Sequence, residues 1–152
     1  MSSRHIQTLD WNTISVGDVL PALMIDMSAT RIVAGAIASR DFMPVHHDRA
    51  YANEQGAPDI FMNILSDTGW CSRFLTDWAG PEAMVKRLAI RLGVPVFPGH
   101  VLTYNGSVTD VSRNGDDGLV EVEFSAVNEL GEHVGGTATL SLPILSRRAP
   151  TV

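Results

Sequence analysis

Residues 39–69 read SRDFMPVHHDRAYANEQGAPDIFMNILSDTG, and they place acidic residues, histidines and turn formers directly before an apolar segment. Asp41 and His46 lie five residues apart, on either side of Pro44. The ring of Pro44 fixes its own backbone and biases Met43 away from helical angles, so this loop is stiff. A carboxylate and an imidazole on the two arms of such a turn can converge on one water, and an imidazole titrates near neutral pH. The segment therefore predicts an acid–base pair.

The same two residues have a second interpretation. An aspartate beside a proline turn commonly forms an Asx-type hydrogen bond with the backbone at the protein surface. In that case Asp41 and His46 would stabilise a loop and would have no chemical role. The turn by itself leaves both interpretations open.

An apolar segment follows the pair and predicts a buried central helix over residues 61–78. Its apolar residues recur at helical spacing and cover most sides of the helix, at positions 61, 62, 64, 65, 70, 71, 74, 75 and 78. Gly69 inside this helix costs about 1 kcal/mol relative to alanine, so we expect another element to approach closely there. Cys71 is expected to be a buried structural thiol, because free cysteines are among the most buried residues.

After residue 83 the chain changes to the alternating pattern that is typical of β-strands. A first strand is predicted through Leu88, Ile90 and Leu92, and Pro95 ends it. Three more strands are predicted at residues 101–111, 119–128 and 133–142, separated by stretches rich in Gly, Asn and Asp. We expect these four strands to follow one another as an antiparallel meander.

The segments before residue 61 complete the predicted α+β fold. Residues 12–27 combine turn formers with a proline and predict an arm that wraps onto the sheet. The small residues of 30–38 fit either a strand or a short helix. Asp48 can cap a short helix at 49–55 that ends at residues 56–58. One apolar helix and a run of antiparallel strands bury both surfaces if the sheet curls around the helix.

The composition bounds the class of protein. With 152 residues and 45% apolar content, the chain predicts one domain over residues 1–152. A formal charge of −6 without a basic run argues against nucleic acid, and no apolar stretch is long enough for a membrane anchor. We therefore expect a cytoplasmic protein. His5, His100 and His133 lack neighbouring ligands and the glycines form no nucleotide-binding motif, so neither a metal nor a cofactor is expected.

Residues 41–48 read DFMPVHHD and are followed by Tyr51-Ala52, which resembles the signature of the MaoC-like dehydratases and (R)-specific enoyl-CoA hydratases. A later stretch, IRLGVPVFPGH at residues 90–100, is similar to the strand and proline turn of the same family. The likeness covers about residues 12–143. Four positions depart from the pattern: Met43 replaces an Asn, Met62-Asn63 replaces His-Gly, and His100 replaces an Asp.

This resemblance implies a single hot-dog fold and a hydro-lyase that adds water to a trans-2-enoyl-CoA. The product would be a 3-hydroxyacyl-CoA, of R configuration by family likeness. His46 would be the base on water, Asp41 would orient that water, and the backbone N–H of Asn63 would stabilise the oxyanion. Which of Asp41 and His46 protonates the α-carbon stays open. The candidate substrate-binding residues are Met43, Phe61, Met62, Lys86, Arg87 and Arg91. The three basic residues either pair with coenzyme A phosphates or are solvated charges on a strand.

A narrower set of residues resembles the small subunits of actinobacterial steroid side-chain enoyl-CoA hydratases. The set comprises 40–42, 45–49, 59–61, 63–65, 67–69 and 76–81. It implies a heteromer with a larger hot-dog subunit, and room for a bulky, steroid-like acyl group. The open edge strand of a curled sheet by itself predicts a two-fold homodimer. The alternatives are a hot-dog acyl-CoA thioesterase and a non-catalytic acyl-CoA-binding or scaffold subunit.

Overall fold

A computed structural model describes residues 7–115 and 117–144 of the chain. His5 and Asp116 lie outside these ranges. The helices are α1 (Ala29–Ala38), α2 (Arg49–Glu54) and α3 (Ile64–Ala79), and Trp11–Thr13 and Pro44–His46 form short 3-10 turns. The strands are β1 (Leu23–Asp26), β2 (Met84–Leu92), β3 (Val101–Asn114), β4 (Asp117–Asn128) and β5 (Gly131–Pro143).

The five strands form one antiparallel sheet in the order β1-β3-β4-β5-β2. The predicted arm is confirmed, since it supplies β1, in which Leu23 lies opposite Tyr104 of β3. The predicted meander holds for β3, β4 and β5 but is wrong for β2. That strand pairs with β5, with Leu88 opposite Ala138, and so lies at the far edge of the sheet. Residues 93–100 carry the chain from one edge to the other half of the sheet.

Helix α3 packs on the sheet and supplies the centre of the core. Cys71, Phe74, Leu75 and Ala79 are buried, and the ring of Phe74 stacks on Tyr104 with centroids 5.6 Å apart. The expected curled sheet around an apolar helix is confirmed, as is the buried Cys71. The predicted helix start at residue 61 is wrong by three residues, because Asn63 caps the helix and Ile64 is its first residue.

The close approach expected at Gly69 is also wrong. A Cβ placed there would meet nothing within 4 Å, whereas one at Gly35 would lie 2.4 Å from Ser66 Oγ. Helix α1 therefore approaches α3 through Gly35. The contact on α3 is at Ser66, about one helical turn before Gly69. Residues 29–38 are helical, which settles the choice that the pattern left open. The short helix α2 begins where predicted, with Asp48 accepting the backbone N–H of Tyr51.

Helices long and apolar enough to cross a membrane are not found in the part of the chain that the structure describes.

Candidate active site

Asp41 is placed by the way in which α1 ends. Arg40 adopts a positive φ of 59°, the left-handed conformation that closes many helices. The backbone N–H of Arg40 donates to Ile37 O at 3.0 Å, and that of Asp41 donates to Ala36 O at 2.9 Å. These two bonds are those of a Schellman motif. Asp41 therefore projects from a rigid corner instead of a free loop.

The left-handed Arg40 gives a stability prediction. Arg40→Gly is expected to raise the free energy of unfolding by about 0.5–1 kcal/mol, because glycine adopts positive φ without the cost of about 1–2 kcal/mol that a side chain incurs. The melting temperature should rise by about 2–4 °C per kcal/mol for a domain of this size. Arg40→Ala keeps the Cβ and is the control that should show no gain. An unchanged or lower melting temperature in the glycine variant would contradict the prediction.

His46 is placed by the 3-10 turn that Pro44 opens. Met43 is extended before the proline, as predicted, and His46 is only 8% exposed. Its Nδ1 lies 2.7 Å from the carbonyl oxygen of Phe61, and the two rings meet edge to face at 5.0 Å. Since a carbonyl can only accept, Nδ1 carries a hydrogen, and the Nε2 of the neutral ring has a free lone pair.

The structure brings the two predicted residues together. Nε2 of His46 lies 3.5 Å from Oδ2 of Asp41. With a neutral histidine both atoms are acceptors, so they form no hydrogen bond with each other. One water can donate a hydrogen to each of them, which would fix its oxygen between the two side chains. The geometry suits acid–base chemistry on water.

Asn63 joins this pair through its side chain. Its Oδ1 accepts the backbone N–H of Ser66 and caps α3, which fixes the orientation of the amide. Its Nδ2 then donates to Asp41 Oδ2 and to Ser39 Oγ, both at 2.9 Å. Sequence reasoning missed this role and gave Asn63 only a backbone one. The signal was available, since Asn directly before an apolar helical run is a preferred N-cap.

These contacts set the charge of Asp41. The hydrogen bond from Asn63 and the backbone N–H of Met43 lower the pKa of its carboxyl from the ordinary value. Burial opposes this shift, and His46 adds a smaller lowering effect. Asp41 therefore stays ionised at neutral pH and remains an acceptor for water.

A pH dependence follows from the bond between Asn63 and Asp41. Asn63→Ser keeps a helix cap but removes the amide donor, so the pKa of Asp41 should rise. Because the carboxylate form is the active one, the acid limb of kcat/KM should then move to higher pH. Asn53→Ser, an exposed asparagine on α2, is the control. A limb that stays in place would contradict a role of Asn63 in holding the charge of Asp41.

The start of α3 offers donors for a developing negative charge. Among the described residues, none accepts a hydrogen bond from the backbone N–H of Asn63. This N–H and those of the first helical turn lie at the positive end of the helix dipole. The oxyanion role of Asn63 stays a prediction that this placement supports.

Of the three apolar residues predicted to bind substrate, only two are accessible at the surface of this chain. Phe61 is half-buried beside His46, and Met43 is exposed on the loop. Met62 is 5% exposed and packs in the core, held by its backbone N–H on Val96 O at 3.1 Å. Within this chain Met43 and Phe61 can face a substrate. Met62 is buried in the core, so its predicted contact with substrate is wrong for the isolated chain.

The three basic residues lie on edge strand β2. Lys86 forms an ion pair with Asp117 at 3.9 Å. Lys86 lies about 20 Å along β2 from Leu92. The segment after Leu92 contains Val96, whose carbonyl oxygen accepts the backbone N–H of Met62. Arg87 and Arg91 are exposed. Contact of these residues with coenzyme A stays a prediction, and for Lys86 it would require release from Asp117.

Several exposed apolar side chains lie on the elements that carry Asp41, His46 and Asn63. They come from the end of α1, the loop and the first turn of α3, and we call them the apolar rim: Ile37, Phe42, Met43, Ile64 and Leu65. Phe42 is 65% exposed although it directly follows Asp41. Apolar side chains that cluster at a surface mark contact sites for proteins or ligands.

Searches for similar proteins give a close relative. The chain is 49% identical over 127 residues to the 3-oxo-4,17-pregnadiene-20-carboxyl-CoA hydratase beta subunit of Mycobacterium tuberculosis, covering 84% of this chain and 95% of the relative. No family model matches. A chain in the crystal structure of the ChsH1–ChsH2 complex from the same organism is 47% identical, with a TM-score of 0.78 over 84% of this chain and 98% of that one.

More distant structures share the fold. An (R)-hydratase from A. caviae involved in PHA biosynthesis is 23% identical, with a TM-score of 0.76 over 86% of this chain and 98% of the other. A MaoC-like dehydratase from Rhodospirillum rubrum is 19% identical, with a TM-score of 0.78 over 91% of this chain and 99% of the other.

Proposed function

Because the chain belongs to the family of hot-dog hydratases that includes the MaoC-like dehydratases, we propose that it adds water to the double bond of a trans-2-enoyl-CoA. The predicted family, the hot-dog fold and the hydratase class are confirmed by the relatives. Neither of the two alternatives, a thioesterase or a non-catalytic subunit, is the activity named for the close relative.

The observation that carries the proposal is the pair of acceptors 3.5 Å apart, His46 Nε2 and Asp41 Oδ2. A water that donates to both loses one proton to His46 as its oxygen bonds to the β-carbon of the enoyl group. The electron pair of the double bond moves toward the thioester oxygen. A proton from the pair then adds to the α-carbon, which completes the addition of one water and leaves a 3-hydroxyacyl-CoA.

The enolate oxygen needs donors that are in place before charge develops. The backbone N–H of Asn63 and the amino end of α3 supply them, if the thioester carbonyl lies over the helix start. Asn63 would then serve both halves of the reaction, with its backbone on the oxyanion and its side chain on Asp41. The methyl and phenyl groups of Met43 and Phe61 would line the acyl side.

The substrate is proposed to carry a bulky acyl group. The relative at 49% identity is named for a pregnadiene carboxyl-CoA, a polycyclic acyl thioester. An acyl group of that kind needs more apolar contact surface than one short loop provides. The exposed apolar rim fits a site that a second subunit completes. We therefore propose that this chain contributes Asp41 and His46 to a heteromer, with a larger hot-dog partner that enlarges the acyl pocket.

The edge strand adds to the case for a partner. β2 lies at one end of the sheet and presents a row of backbone groups, and such edges are paired or covered in stable proteins. A homodimer through this edge is the simpler assembly for the isolated chain. The absence of a cofactor and the cytoplasmic location stay predictions.

The test is turnover of the isolated chain and of its co-expressed assembly. Loss of enoyl absorbance without release of free thiol, on a polycyclic enoyl-CoA and on a short one, would support the hydratase. Release of thiol from a saturated acyl-CoA would favour the thioesterase instead. Full activity of the lone chain on short substrates would remove the need for a partner and leave the hydratase standing.

A further inference from the structure

A second aspartate–histidine pair lies inside the fold, away from solvent. Asp67 is in the first turn of α3 and His133 is in β5, with exposures of 0% and 2%. Oδ1 of Asp67 lies 2.6 Å from Nε2 of His133, although the residues are 66 positions apart in the chain. Because both side chains are buried, Asp67 Oδ1 depends on His133 for its hydrogen bond, while Asp67 Oδ2 has no hydrogen-bond partner among the described residues.

The imidazole of His133 links two partners at once. Its Nδ1 bonds to the carbonyl oxygen of Val94, and that bond requires a hydrogen on Nδ1. Its Nε2 and Asp67 share a second hydrogen. Burial is the largest single influence and acts to lower the pKa of His133, but the hydrogen bond to Asp67, the charge of Asp67 and the bond to Val94 O together outweigh it, so the pKa is raised. The ring therefore forms a fixed bridge from α3 to the segment after β2.

A second hydrogen bond joins the segment after β2 to the residue directly before Asn63. The backbone N–H of Met62 donates to Val96 O at 3.1 Å. Asn63 thus lies between two attachments to residues 94–96, one directly before it and one four residues after it. Its amide is what holds Asp41, and its backbone N–H is the proposed oxyanion donor.

We propose that Asp67 and His133 are a positioning pair that holds the start of α3 so that Asn63 stays aligned with Asp41. The catalytic part of this inference rests on the proposed hydratase function. Without the pair, one of the two attachments is lost and Asn63 can shift with the first helical turn. A displacement of about 1 Å at a reacting centre can cost about a hundredfold in rate.

Two substitutions at one position separate positioning from charge. Asp67→Ala in the active assembly should lower kcat at least about tenfold and change KM less than about twofold, because the oxyanion forms only in the transition state. Asp67→Asn should restore most of kcat. Its amide can donate to a neutral His133 Nε2 while Nδ1 still donates to Val94 O.

Loss of stability alone must be separated from loss of position. Val120→Ala truncates a buried side chain of β4 that pairs with Leu140, about 20 Å along β5 from His133. It should lower the melting temperature and leave kcat in place. The double substitution Asp67→Leu with His133→Phe replaces both partners by apolar groups, which often keeps stability. It should lose kcat as Asp67→Ala does, and it serves if the single variant does not fold.

A readout that needs no turnover keeps this inference apart from the proposed function. The side-chain amide signals of Asn63 in an NMR spectrum should shift in Asp67→Ala and return in Asp67→Asn. If the wild-type assembly is inactive but the Asn63 signals shift in Asp67→Ala, the proposed hydratase function is wrong and the positioning role of Asp67 and His133 is supported. Unmoved Asn63 signals, or a kcat that follows melting temperature alone through Val120→Ala, would overturn the pair.

Discussion

Replacing His46 by alanine is expected to lower kcat for enoyl-CoA hydration by at least about a hundredfold, the usual scale for a general base. The variant removes the Nε2 lone pair that faces Asp41 across 3.5 Å. A water held by Asp41 alone keeps one acceptor but has no group to take its proton. The loss should therefore lie in kcat, measured as the decay of enoyl absorbance in the intact assembly.

The neighbouring histidine is a matched control. His47 follows His46 in the chain and is exposed, and among the described residues its side chain has one hydrogen-bond partner, the backbone oxygen of Phe42, 3.2 Å from Nε2. His47→Ala should keep kcat within about twofold, since surface substitutions usually have small effects. Equal losses in the two variants would point to a disturbed loop and would contradict a chemical role of His46. So would full activity of a folded His46→Ala assembly.

The parts of the site that could be predicted from sequence are those set within a few residues. Pro44 stiffens one short turn, and the pair on either side of it meets in the structure. Asp48 caps α2 because Ncap preferences depend on adjacent residues alone. The same holds for the four alternating strands, all of which were predicted. The first ends at Leu92, before the predicted Pro95, and the other three are longer than predicted.

What the sequence did not predict depends on distant partners. The place of β2 beside β5 is a choice between two sheet edges, and a strand's own pattern carries no information on its neighbour. The link between Asp67 and His133 spans 66 positions. His133 was interpreted only as a poor metal ligand, since its carboxylate partner is brought to it by the packing of α3.

Asn63 shows how one error in a helix boundary hides the role of a side chain. Apolar Phe61 and Met62 extend the helical pattern backward, so the helix was predicted to begin before Asn63. In the structure Met62 lies before the helix, and its backbone N–H donates to Val96 O. The side chain of Asn63, which had no predicted role, caps the helix, and this capping bond orients the amide that holds Asp41.

Replacing Asp41 by asparagine is expected to lower kcat by at least about a hundredfold as well, although the side chain keeps its size. Both carboxylate oxygens accept N–H donors, Oδ1 from the backbone of Met43 and Oδ2 from Asn63. An amide at this position must therefore turn its NH2 toward one of those donors. Turned toward Asn63, it would also donate to His46 Nε2 and occupy the lone pair that takes the proton from water.

Asp48→Asn is the control for this substitution, because it makes the same chemical change at a helix cap where Asn and Asp serve equally. The measurement is kcat of both variants in the same assembly, with circular dichroism to confirm folding. If Asp41→Asn kept more than about half of the wild-type kcat, water would be held without the carboxylate. His46 would then act alone, and the lowered pKa of Asp41 would reflect only the structural hydrogen bonds from Asn63 and Met43.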